Sequence, residues 1–207
     1  MAHIDAPLLH SVRIMLFDEH SFDVSELPQF INRSEKFRSL NTTRADLAFV
    51  EDSVELALRP SPQAETADNI MFVLGFSRRG SFWPPLSLSH VFGSSLPPLA
   101  LATSERLDIH GGGHRSGPSQ LHYDMQKVQC LNLLRPFTAV KDLYLSKVVA
   151  LSVAAALEDV AVLPSLQNIF IEGPQPTGPV QEEIGQLISA RQLSSHPIAV
   201  HRWERRQ

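Results

Sequence analysis

The chain has 207 residues, of which 43% are hydrophobic and 19% charged, and a formal net charge of −4. That is enough apolar material for one continuous core, and it points to a single domain over residues 1–207. The acidic balance argues against a nucleic-acid partner, which needs a basic face, and no apolar run approaches the ~20 residues that span a bilayer.

The opening MAHIDAPLLHSVRIML lacks a basic start and sets Asp5, His10 and Arg13 in and around the segment that a secretory signal would keep apolar. With a single cysteine, Cys130, no internal disulfide can form. The expected location is cytoplasmic or nuclear.

In chain order, residues 9–16 read as a first strand and residues 26–36 as a helix, with Ser25 as N-cap and Leu27, Phe30 and Ile31 on one face. Two alternating runs follow at 54–58 and 70–76, separated by the polar loop RPSPQAETADN. They form either an antiparallel hairpin or two successive repeat strands. Pro84 and Pro85 open a short helix that reaches Phe92 and ends at Gly93.

Leu107-x-Ile109 is a strand, and HGGGHRSGPSQ, residues 110–120, is a flexible loop by composition. Met125, Val128, Leu131 and Leu134 recur at helical spacing before a strand that starts at Val140. Residues 149–160 form an alanine-rich helix, 166–171 a strand, and 179–193 a helix with Val180, Ile184, Leu187 and Ile188 inward. A last strand covers 198–203 and leads into the basic tail.

One phrase is written twice. Phe137-x-x-Val140-x-x-Leu143-x-Leu145 matches Leu163-x-x-Leu166-x-x-Ile169-x-Ile171 with an offset of 26 residues at every apolar position. A fixed period of that length marks stacked repeats. Weaker copies are Leu9-x-x-Val12-x-Ile14 and Leu101 followed by Leu107-x-Ile109, where Ser104 takes the middle apolar place. Spacing from Leu107 to Leu143 is 36 residues, and Val148 and Pro174 stand where such repeats often carry asparagine. The expected fold is therefore α/β: an irregular leucine-rich-repeat-like solenoid with a mostly parallel sheet and helices on its convex side.

The stretches IDAPLLHSVRI, FRSLNTTRADLAF, LRPFTAVKDLYLS, LPSLQNIFIEGPQPTGPVQEEIGQ and HPIAVHRWERR resemble the C-terminal leucine-rich region of F-box domain-containing proteins of mushroom-forming fungi. The likeness is strongest from Leu134 onward. It implies a C-terminal fragment of a longer architecture, whose F-box docks on the adaptor of a cullin-type ubiquitin ligase while the repeats hold a protein substrate. The F-box itself is absent from this sequence, so binding of the adaptor requires one supplied elsewhere. The alternative is a stand-alone scaffold with no link to ubiquitin. A first strand so close to Met1 also carries the expectation of an uncapped solenoid edge that self-associates.

Catalysis and metal binding rank far behind. His110, His114 and His122 with Asp108 and Asp124 are ligand types for zinc, but their spacing follows no zinc motif. The HGGG string lacks the G-x-S-x-G elbow that a hydrolase needs beside it. The expectation is no enzyme, no cofactor and no metal. Arg78-Arg79-Gly80-Ser81 is a chance-level kinase motif.

Binding is expected on the strand residues that alternate with the buried ones. On the concave face these are Arg13, Arg106, Asp108, Asp142, Tyr144, Asn168 and Phe170. Tyr144 and Phe170 hold the same place in adjacent repeats and are expected to stack.

Overall fold

The computed structural model describes residues 11–18, 42–50, 53–60, 71–78, 101–111, 127–173 and 178–204. Eight strands form one sheet: β1 (Ser11–Asp18), β2 (Thr42–Val50), β3 (Ser53–Pro60), β4 (Met71–Arg78), β5 (Arg106–Gly111), β6 (Asp142–Leu145), β7 (Asn168–Glu172) and β8 (Ala199–Trp203). The described helices are α1 (Lys127–Leu134), α2 (Lys147–Leu157) and α3 (Pro179–Leu193), one before each of β6, β7 and β8. Strand order across the sheet is β1-β4-β3-β2-β5-β6-β7-β8. The chain is thus α/β with a mostly parallel, open sheet.

β3 alone runs against its neighbours, pairing antiparallel with both β2 and β4. Only two residues separate Val50 from Ser53, and a link that short joins strands as an antiparallel hairpin. The open choice over residues 54–76 resolves the same way, since β3 and β4 are antiparallel neighbours. The first strand pairs with β4 and lies at the outer edge, so the first half of the sheet is not laid down in chain order. β2 is an additional strand that the sequence reading passed over. β5 extends through Gly111, two residues into the stretch expected to be loop. The helices expected at 26–36 and 84–92, and residues 112–120 of the expected loop, lie outside the described residues.

From β5 onward the strands follow in chain order and in register. Leu143 lies beside Leu107 and Ile169, and Leu145 beside Ile109 and Ile171. The 26-residue phrase is therefore a parallel pair of neighbouring strands. Two aliphatic rows cross the sheet. One runs Val12, Phe72, Leu58, Ala45, Leu107, Leu143, Ile169, Val200, and the other Ile14, Leu74, Leu56, Leu47, Ile109, Leu145, Ile171. All from Phe72 to Ile169 in the first row, and from Leu74 to Ile171 in the second, are buried. Each such Leu or Ile contributes about 2 kcal/mol of burial. α1, α2 and α3 pack side by side against this face through Leu133, Leu134, Val149, Val153, Leu157, Ile184 and Leu187. At the end of β5, Gly111 lets α2 come close: a Cβ there would stand 3.2 Å from a Val149 methyl.

Backbone bonds carry the stacking past the strand ends. Glu105 O accepts from the amides of Lys141 and Asp142, Lys141 O from those of Gln167 and Asn168, and Gln167 O from that of Ala199. Ser146 sits at the N-cap of α2 without capping it; its hydroxyl accepts instead from the Gly111 amide at 3.0 Å. At the β2–β5 joint, buried Ser104 pairs its hydroxyl with that of buried Thr42 at 3.3 Å, which explains how a polar residue takes an apolar place in the repeat phrase.

Arg191 on α3 is fully buried. Its Nε donates to Leu157 O at 3.0 Å and an Nη donates to Val162 O, with longer contacts to the carbonyls of Asp159 and Leu163. One guanidinium thus serves the carbonyls of Leu157, at the end of α2, and Val162, in the turn after it, while Asp159 O and Leu163 O also accept from the amides of Val162 and Leu166. Leu163 in that turn has φ +49°, a left-handed conformation that costs a leucine about 1–2 kcal/mol. Burial pulls the Arg191 pKa down, and the Asp159 charge opposes this. We expect Arg191→Met to lower stability by about 3 kcal/mol, because it removes the side-chain donors of the Leu157 and Val162 carbonyls. A urea titration that finds a loss under about 1 kcal/mol would refute this role.

Candidate interaction surface on the open face

Because strand side chains alternate, the same register that builds the aliphatic rows builds two rows on the opposite face. The first is Arg13, Val73, Ala57, Asp46, Asp108, Tyr144, Phe170, His201. The second is Arg59, Arg44, Arg106, Asp142, Asn168, Ala199. Parallel in-register pairing sets like charges side by side, Arg44 by Arg106 and Asp46 by Asp108, which is unfavourable in isolation.

The two rows compensate each other. Arg44 reaches Asp46 at 2.8 Å and Asp108 at 3.1 Å, Arg59 binds Asp46, and Arg106 grips both oxygens of Asp108 at 2.8 and 2.9 Å. The result is a zigzag from Arg59 through Asp46, Arg44 and Asp108 to Arg106. Asp46 and Asp108 are 6% and 3% exposed, so as buried carboxylates they require these partners. The bond from Asp108 raises the Arg106 pKa against the opposing effect of burial.

Beyond Arg106 the band turns aromatic. Its guanidinium carbon lies 3.7 Å above the Tyr144 ring centre. Tyr144 stacks on Phe170 with centroids 4.3 Å apart and planes 8° from parallel, and Phe170 stacks on His201 at 5.0 Å. Trp203 meets Tyr144 edge-on at 5.3 Å. The Trp203 indole N–H is buried with no acceptor among the described residues. Asn168 donates to Asp142 at 2.8 Å, and at the far end of the face Arg13 pairs with Glu55 at 2.7 Å.

All seven residues picked from the sequence fall on this face, and Tyr144 and Phe170 stack as expected. Asp108 needs a correction: it is buried beneath Arg44 and Arg106, so it orients guanidinium groups and does not present itself to a partner. Arg13 is remote from the band and joined to Glu55. Arg44, Asp46 and Arg59 were missed, together with His201 and Trp203. The alternation Ala45-x-Leu47-x-Phe49 in β2 could have exposed the first two, since it leaves Arg44 and Asp46 pointing the other way.

Among the described residues no group of three His, Cys, Asp or Glu is placed to hold a metal. Asp108 is committed to arginines, and His114, His122 and Asp124 lie outside the described residues. No described helix is long and apolar enough to cross a membrane.

Two measurements check these assignments. Asp108→Asn should cost about 2–4 kcal/mol, since it strips the charge from a buried partner of two arginines, whereas Arg59→Gln, with a half-exposed side chain, should cost under about 1 kcal/mol. Equal losses in thermal unfolding would contradict the zigzag. Cys130 is fully buried and desolvation pushes its pKa up to about 12. At pH 8 only roughly one thiol in ten thousand would then be ionised, against about a quarter for an ordinary cysteine. An aromatic disulfide reagent should therefore label the native chain far more slowly than the urea-unfolded one. Compared with protein-family models, curated proteins and solved structures, the chain matches none, so its function has to be argued from this surface.

Proposed function

We propose that the chain is a protein–protein recognition module, built as an irregular leucine-rich-repeat-like solenoid, whose contact surface is the sheet face opposite α1, α2 and α3. The observation that carries this reading is the continuous band from Arg59 to His201. Arginine and aromatic side chains are the commonest anchors of protein interfaces, and here they are held in place by buried carboxylates and by one another. Side chains held this way lose little freedom on binding, which favours affinity. The in-register succession β5 to β8, with a helix before each of β6, β7 and β8, supports the repeat reading.

The ligase role is a further step of the proposal. It rests on the resemblance of most of the chain, strongest from Leu134 to the end, to the substrate-holding repeats of fungal F-box proteins, and it makes the bound partner a protein destined for ubiquitin transfer. A stand-alone scaffold uses the same surface in the same way. Co-purification of the ligase adaptor with the full gene product separates the two.

For the recognition reading itself, a random peptide library displayed on phage should yield binders to the folded chain. Their capture should fall at least tenfold, about 1.4 kcal/mol, on the double variant Tyr144→Ser with Phe170→Ser, and should survive Gln186→Lys on the exposed side of α3. Binders indifferent to the double variant would refute the open face as the contact surface.

A further inference from the structure

We propose that the partner segment is an acidic peptide, with a carboxylate seated on Arg59, Arg44 and Arg106 and an apolar side chain about three residues away, laid over the edges of Tyr144 and Phe170. The inference rests on the recognition reading above and adds the chemistry of what is recognised.

Donor count decides the first half. The zigzag sets three guanidinium groups against two carboxylates, and the carboxylates are the buried members. Asp46 uses both oxygens, one for Arg44 and one for Arg59, and Asp108 uses both for Arg106. The donors are in excess: Arg59 bonds through Nε, and its two Nη groups have no partner among the described residues. The surface therefore presents unmet N–H groups over acceptors that are already filled. A planar carboxylate fits such a fork.

Ring geometry decides the second half. Tyr144 has Arg106 over one face and Phe170 over the other; Phe170 lies between Tyr144 and His201. With the faces covered, the half-exposed edges are what remain for a partner. A nucleobase needs a bare ring face for stacking, so this arrangement favours an aliphatic or aromatic side chain over a nucleic acid. With Asp142 next to Arg106 in the same row, the band carries no excess positive charge, and its unmet N–H groups suit one or two carboxylates better than a phosphate backbone.

Spacing links the halves. From between β2 and β5, where Arg44 and Arg106 sit, to between β6 and β7, where the rings sit, is two strand separations, or about 10 Å. An extended peptide in the polyproline conformation advances about 3.1 Å per residue and returns to the same side every three. An acidic residue and an apolar one three apart thus meet both halves from one side.

The test is fluorescence anisotropy on the full chain with a dye-labelled eight-residue peptide carrying two adjacent glutamates and a leucine three positions beyond the second. We expect saturable binding that weakens about tenfold between about 50 and 300 mM salt, and this arm needs no variant to fold. Replacing both glutamates by glutamine should abolish binding. Arg59→Gln should weaken it several-fold. Phe170→Ala should weaken binding of the leucine peptide more than that of its glycine counterpart.

Equal affinity for the glutamine peptide overturns the proposal, as does indifference to Arg59→Gln, absence of saturable binding, or tighter binding of a single-stranded oligonucleotide of the same length. Neutral peptides selected by display that still depend on Tyr144 and Phe170 would sink this inference alone and leave the recognition reading standing. Selected binders that ignore the open face would sink both.

Discussion

Register is the constraint from which everything else in this sheet follows. Because side chains alternate with a period of two, a slip of one residue between any two strands would turn Leu143 or Ile169 to solvent and bury Tyr144 or Phe170 under the helices. The aliphatic rows forbid that slip. A stack as close to parallel as Tyr144 on Phe170 is therefore a consequence of hydrophobic burial on the opposite side of the sheet. The face opposite α1, α2 and α3 is ordered by the face on which they pack.

The same constraint creates an electrostatic difficulty and shows how it is met. Parallel pairing in register sets arginine beside arginine and aspartate beside aspartate, but the two rows are offset by two residues along each strand, so each carboxylate falls between guanidinium groups. Burial then makes the arrangement rigid. A buried aspartate without its arginine would have to shed its charge or drag water inward, and either outcome is costly. On the helical side Arg191 fills a comparable place, with backbone carbonyls in place of carboxylates. In both cases an arginine fork bridges acceptors from separate parts of the chain.

Much of the second half of the fold is legible in the chain because its signals agree. The 26-residue phrase, the helical spacing before Pro136 and the inward set Ile184 and Leu187 all recur in the structure as neighbouring strands and packed helices. The first half is harder to read. β2 hides its alternation behind the polar start Thr42-Thr43-Arg44, and nothing in β1 announces that its partner is β4, some sixty residues on. Pairing at that distance is set by which edge remains free, a property of the whole sheet and of no local segment. Arg191 was unreadable for a related reason. Its helix position marks it as inward, yet a charged residue in that place is usually at the rim, and the carbonyls that receive it belong to a turn some thirty residues earlier. The exposed band was half legible: alternation identifies which residues point outward, while the pairing of Arg44 with Asp108 depends on β2 lying beside β5.

That β2–β5 contact gives the surface its two-part character. β3, β2 and β5 bring the charges; β6, β7 and β8 bring the rings. Arg106 belongs to both, with its fork on Asp108 and its flat face on Tyr144. Lysine could keep the charge there but could not span the two contacts, because it has neither the fork nor the plane. The bidentate contact with Asp108 fixes the Arg106 fork, and the stacked rings hold it flat, so a partner that engages one half meets the other already in position. Two chemistries contributed by strands far apart in the chain thereby act as one surface.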